Sequence, residues 1–136
     1  MLFEMPYIAF AGDWSFTAAL YGDRPSAGCQ YIQEVLQGIW QLDEHVICRV
    51  LRIRSLVPYF LDHCMRTIAW ENYTLVGFTS TFEQNIASLA LAKRIKAAYP
   101  DIAIVFGGAN WEADMEQELH HQFPCVGYIC SGEARL

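Results

Sequence analysis

Three short stretches concentrate the residues that could hold a ligand. The first is Thr79-Ser80-Thr81-Phe82-Glu83-Gln84-Asn85, the second Gly107-Gly108-Ala109-Asn110, and the third Ser131-Gly132-Glu133. Serine and threonine hydroxyls both donate and accept, and the free N–H groups of a following helix N-terminus add further donors. A phosphate, or a nucleotide base with acceptor nitrogens, suits such a loop. Gly107-Gly108 permits positive φ and lets a ligand approach the backbone closely. The first two stretches also have a reading without a ligand. Ser80 and Glu83 stand at capping-box spacing, so the first loop could simply start a helix. Gly107-Gly108 could be a tight strand-to-helix turn.

These stretches follow three short apolar runs, Thr74–Phe78, Ile102–Phe106 and Cys125–Cys130. Runs that are apolar on both faces predict parallel strands covered by helices on either side. Helices are predicted between them, over 85–99 and 111–122. Asn110 is placed to cap the second, Glu112 and Asp114 to meet its positive end, and His120 and His121 its negative end. The order β-α-β-α-β implies an α/β fold with a parallel sheet and right-handed crossovers. Ligands in open parallel sheets bind outside the carboxyl ends of the strands, where the three stretches fall.

Residues 1–70 have a different texture from residues 71–136. They read as a helical segment preceding the sheet. A helix is expected over 14–21, closed by Gly22, then a loop over 22–29 broken by Pro25 and Gly28, then a helical pattern over 30–40. Leu42, Val46, Val50, Ile53, Val57, Phe60, Cys64 and Ile68 recur at steps of three and four, predicting a long amphipathic helix. Pro58 predicts a kink or break near Val57.

The 136 residues suit one domain, and 54% hydrophobic residues make a core-forming composition. Nine basic residues scattered through a chain of net charge −6 give no phosphate-tracking surface, so no nucleic-acid partner is expected. No apolar run is long enough to span a bilayer, and the N-terminus lacks a basic region, so a cytoplasmic protein is expected. The five cysteines include no Cys-x-x-Cys pair and are expected as buried, reduced thiols. No Gly-x-Gly-x-x-Gly, P-loop or Gly-x-Ser-x-Gly pattern occurs, which disfavours a common dinucleotide fold, a P-loop enzyme and an α/β-hydrolase.

Residues 76–115, VGFTSTFEQNIASLALAKRIKAAYPDIAIVFGGANWEADM, and 123–136, FPCVGYICSGEARL, resemble the cobalamin-binding region of radical-SAM enzymes that mature ribosomally made peptides, often C-methyltransferases. Residues 11–23, AGDWSFTAALYGD, are similar to a stretch found early in that region. The resemblance implies a partial Rossmann-like (flavodoxin-like) sheet. It also implies a cobalamin site built from Thr79, Ser80, Thr81, Gln84, Gly107, Gly108, Ala109, Asn110, Ser131, Gly132 and Glu133. The Ser/Thr loop would contact the nucleotide tail, and the Gly-Gly loop would lie against it.

In that family, S-adenosylmethionine, a [4Fe–4S] cluster held by Cys-x-x-x-Cys-x-x-Cys and the peptide substrate belong to a separate catalytic domain. This chain has no such cysteine pattern. It is therefore expected to be a fragment without methyltransferase activity, lacking the first strands of the domain as well, and prone to self-association through uncovered apolar surface. Trp111, Asp114 and Glu116 are larger or more acidic than the tail groove of that family would suggest. Asp43-Glu44-His45-Val46-Ile47-Cys48 partly matches the Asp-x-His-x-x-Gly of some cobalamin proteins. Cys48 replaces the glycine, however, and the segment reads as a helix start, so we treat the match as coincidence. Two other readings stay open: a ligand-free α/β interaction module, and a sugar-nucleotide-binding domain.

Overall fold

The computed structural model describes residues 10–111 and 115–130. The protein is mixed α/β, with a helical segment before a three-stranded parallel sheet in the order β1-β2-β3. Strand β1 is Leu75–Thr79, β2 is Ala103–Gly107 and β3 is Tyr128–Cys130. Each of the first two lies one residue later than its apolar run suggests, and β3 keeps only the end of its run. The register pairs Leu75 with Ala103 and Thr79 with Gly107, then Val105 with Tyr128 and Gly107 with Cys130.

Helix α1 is Ala11–Tyr21, starting earlier than expected and closed by Gly22 at φ 87°. The expected loop over 22–29 is corrected: Pro25–Tyr31 forms helix α2. Pro25 begins it, a position where its missing N–H is no loss. The chain continues as a π-type helix over Ile32–Ile39, ending with Trp40 N–H donating to Val35 O at 3.0 Å. Helix α3, Glu44–Thr67, is one continuous α-helix that retains Pro58 inside it, so no break occurs at Val57. Asp43 is its N-cap and His45 is exposed on its first turn, which fits a helix start and not a ligand loop. Helix α4 is Asn85–Ala98 and α5 is Met115–Gln122. The expected start of α5 at Trp111 is also corrected, because Ala109–Trp111 forms a 3-10 turn. Glu112 and Asp114 lie outside the described residues.

One main core joins both halves of the chain. Leu20 of α1, Val57 and Leu61 of α3, and Trp70 pack with Leu89, Ala92 and Ile95 of α4 and with Ile104 and Phe106 of β2. Phe106 lies between Phe78, stacked on it at 5.0 Å, and Trp111, tilted to it at 4.5 Å between ring centroids. A satellite cluster of Leu36 and Ile47 sits beneath the π-type helix.

Among the described residues, elements seal one face of the sheet only. Ile104 and Phe106 are fully buried, while Leu75 is 57% and Tyr128 62% exposed on the opposite face. This corrects the expectation of helices on both sides. Right-handed crossovers in a sheet whose strands follow in sequence order put every connecting helix on the same face. The apolar stripe expected on α3 is likewise only half used: Val46, Val50 and Val57 are buried, whereas Ile53, Phe60 and Ile68 are exposed. Cys29, Cys48 and Cys130 are exposed free thiols, so the expectation of buried cysteines fails for those three.

Candidate functional site

The strand-end loops converge because parallel pairing aligns their carboxyl ends. Thr79 lies beside Gly107, and Gly107 beside Cys130. Beyond the last ladder pair, Ser80 N–H donates to Gly107 O at 2.8 Å, extending the β1–β2 pairing into the loops. Gly108 has φ 99°, and a Cβ there would lie 2.5 Å from Ser80 O and 2.9 Å from Ser80 N. Glycine is required at that position by both its left-handed backbone and the closeness of the Ser80 chain. Ser80 itself is fully buried.

The other candidates divide by exposure. Thr79, Thr81 and Gln84 are exposed, Gly107 is half-buried, and Gly108 and Ala109 are exposed. Thr81 N–H donates to Gln84 Oε1 at 3.3 Å. Asn110 lies in the 3-10 turn, whose Trp111 N–H donates to Gly108 O at 3.0 Å. Ser131, Gly132 and Glu133 lie outside the described residues. Phe82, between the hydroxyls and Glu83, adopts φ 51° and is 76% exposed. A bulky residue held in the left-handed region carries strain of about 1–3 kcal/mol, and such residues cluster at binding sites.

The capping box expected from Ser80 and Glu83 does not form. The N-cap residue of helix α4, Gln84, makes no side-chain cap; instead Asp13 Oδ1, from α1, accepts Ile86 N–H at 3.0 Å. Glu83 Oε2 accepts Gly12 N–H of α1 at 2.7 Å. Each helix start is therefore capped by a carboxylate from the other's segment, which satisfies orphan N–H groups and places negative charge at two positive helix ends. Gly12 allows this close approach, since a Cβ there would meet Glu83 Oε2 at 2.5 Å. Burial raises the Asp13 carboxyl above its usual range, opposed by the backbone N–H groups of Ile86 and Asn85. The clamp holds the Thr79–Gln84 loop against α1. Sequence reasoning missed Gly12, Asp13 and the true role of Glu83, although AGDW stood out as part of the resemblance.

A second polar cluster surrounds α1. The Arg54 guanidinium lies 4.2 Å from the Trp14 ring centroid and donates to Trp14 O and to Thr17 Oγ1. Trp14 stacks on Tyr31 at 4.7 Å. Burial, reinforced by the Glu83 charge, pushes the Tyr31 phenol up to about 12.

The fit to a nucleotide-tailed cofactor is mixed. Asn85 Oδ1 and Trp111 Nε1 are buried without a hydrogen-bond partner, and both follow strand ends at this edge. Unsatisfied buried groups of this kind ask for a ligand or water. Against that, the close approach that Gly108 permits is taken by Ser80, and Trp111 is fully buried against Phe106. Among the described residues no group of three or more His, Cys, Asp or Glu is placed to hold a metal ion. No described helix is long and apolar enough to cross a membrane. No family model, curated protein or solved structure matches this chain.

Proposed function

We propose that the chain is the cobalamin-binding portion of a cytoplasmic B12-dependent radical-SAM enzyme that methylates ribosomally made peptides, and that it is not catalytic by itself. The observation that carries the reading is the convergence of the Thr79–Gln84 and Gly107–Asn110 loops at the carboxyl edge of the parallel sheet. The exposed hydroxyls of Thr79 and Thr81 and the Gln84 amide would hold polar groups of the cofactor's tail, and Phe82 offers an aromatic face beside them. Gly108 has a narrower part than the resemblance implies: it brings the two loops together. Bound cobalamin would supply a methyl group; S-adenosylmethionine, the [4Fe–4S] cluster and the peptide belong to cysteine-bearing machinery this sequence does not contain.

The test is gel filtration of the protein with hydroxocobalamin. The expected result is a corrin absorbance band that co-elutes with the protein and weakens at least fivefold in the double variant Thr79→Val, Thr81→Val. Folded protein that elutes free of corrin would overturn the reading. It would favour the second one, a ligand-free α/β interaction module, for which the packing of Gly108 on Ser80 speaks. Retention of a sugar nucleotide in place of the corrin would overturn both.

The bare face of the sheet suits self-association. Leu75, Gly77, Thr79, Ala103, Val105, Gly107, Tyr128 and Cys130 share it and none is charged, so two copies could meet there without burying a charge. A sedimentation coefficient that rises with concentration, and falls to the monomer value in Leu75→Lys, is expected; a concentration-independent monomer would remove the idea.

A further inference from the structure

At the opposite end of the sheet from the converging loops, a cleft of about 620 Å³ opens between α1, the C-terminal half of α4 and the segment leading into β3. That volume is in the usual range for small-molecule sites, about 300–1,000 Å³. Leu20, Ala97 and Pro124 give it apolar walls. Tyr21 and Phe123 give it an aromatic corner, their ring centroids 6.2 Å apart and their planes inclined at 53°. Among the described lining residues the charged groups are Lys93 and Lys96, and none is a carboxylate.

The two ammonium groups are held in place by backbone carbonyls, and no described carboxylate pairs with them. Lys93 Nζ donates to Leu20 O at 3.0 Å. Lys96 Nζ donates to Pro100 O and Ile102 O, each at 2.7 Å. These are backbone carbonyls, which fix the nitrogens without cancelling their charge. An ammonium has three donors. Among the described residues Lys93 uses one of them and Lys96 two, which leaves two and one for a guest. Both charges also reach the Cys125 thiol in the same cleft, where they oppose the burial that raises it.

We propose that this cleft binds a small aromatic carboxylate, with its anionic group between Lys93 and Lys96 and its ring against Tyr21 and Phe123. The chemistry is complementary on both counts. A carboxylate takes charge-assisted hydrogen bonds from two ammoniums that pair with no anion among the described residues. A ring placed against an inclined aromatic pair extends the cluster with further offset or edge contacts. The site is separate from the carboxyl-edge loops, and its occupancy does not depend on what those loops bind.

The probe is 3-phenylpropionate, titrated into the 15N-labelled protein, with 3-phenylpropionamide as the uncharged control. Amide shifts are expected at Ala97, Gln122, Phe123 and Cys125, with the carboxylate binding at least tenfold more tightly than the amide. Lys93→Met should weaken binding at least fivefold. Because Lys93 also holds the end of α1, Ala97→Phe serves as a second variant: Ala97 is exposed on α4, and the larger ring fills the cleft while leaving both lysines. It should abolish the shifts with an unchanged melting temperature. Equal affinity for carboxylate and amide, or shifts centred on Leu75 and Tyr128, would overturn the proposal, as would undiminished binding to Ala97→Phe.

Discussion

The two faces of the sheet come from the same three strands and meet opposite fates. Val76, Phe78, Ile104, Phe106 and Ile129 point into the main core, where α4, α1 and α3 cover them. Leu75, Val105 and Tyr128, one residue away in each strand, lie on the bare side. Hydrophobicity does not separate the sets; connectivity does. Strands laid down in the order β1-β2-β3 send both crossovers to one side, so covering the second face takes an element entering from elsewhere. The carboxyl edge, where the candidate loops sit, depends on the sealed face, since the α1–α4 clamp fastens Glu83 and Asp13 there.

Core truncation should show the contrast most strongly. Phe106→Ala removes a fully buried ring packed between Phe78 and Trp111, and is expected to cost about 3–5 kcal/mol. Tyr128→Ala, on the bare face, should change stability by no more than about 0.5 kcal/mol. Urea midpoints of the two variants measure the difference. Comparable losses would mean that the second face is covered in solution.

A pair of glycines gives a smaller version of the same comparison. Gly108→Ala forces a left-handed alanine onto the Ser80 backbone and should cost about 1–3 kcal/mol, together with any corrin binding. Gly77 lies in β1 with nothing within 4 Å of an added Cβ. Gly77→Ala should therefore stabilise by roughly 0.5 kcal/mol, because alanine loses less backbone entropy in a strand. A destabilised Gly77→Ala would show that something approaches the bare face.

The clamp comes next. Asp13→Ala leaves Ile86 N–H without its acceptor and should cost about 1 kcal/mol, the usual loss for a helix cap. Asp13→Asn keeps an acceptor oxygen while removing a charge that burial disfavours, so its cost should be under half as large. Equal losses would mean that the charge, and not the hydrogen bond, holds the two helix starts together.

How much of this was readable from residues follows from how local each feature is. The three strands and the helices over 85–98 and 115–122 are marked by apolar runs and by Pro100 and Pro124 after them, and their order fixes the parallel topology. The bare face was hidden because burial on both sides of a strand reads the same as an apolar run that is only half covered. Pro25 was misread because proline at a helix start and proline in a loop look alike in sequence. The convergence of Thr79 with Gly107 follows from strand order. The clamp does not, because Glu83 and Gly12 are 71 positions apart and nothing local distinguishes a carboxylate that caps its own helix from one that caps another.

The smallest expected effect concerns the join between that clamp and α2. Tyr31 stacks on Trp14, and burial together with the Glu83 charge raises its phenol from 10.0 to about 12. The folded protein therefore keeps the phenolic proton in a range where the unfolded chain has lost it. The associated stability is fully present below about pH 10 and declines as pH rises towards about 12. Tyr31 is only partly buried, so the decline should be shallow. Urea midpoints between pH 9 and 11.5 should fall more steeply in the parent protein than in Tyr31→Phe, which has no proton to lose. Glu83→Gln should also flatten the slope while still offering Gly12 an acceptor oxygen. A slope unchanged in Glu83→Gln but lost in Tyr31→Phe would assign the effect to burial alone, and would separate α2 electrostatically from the α1–α4 clamp.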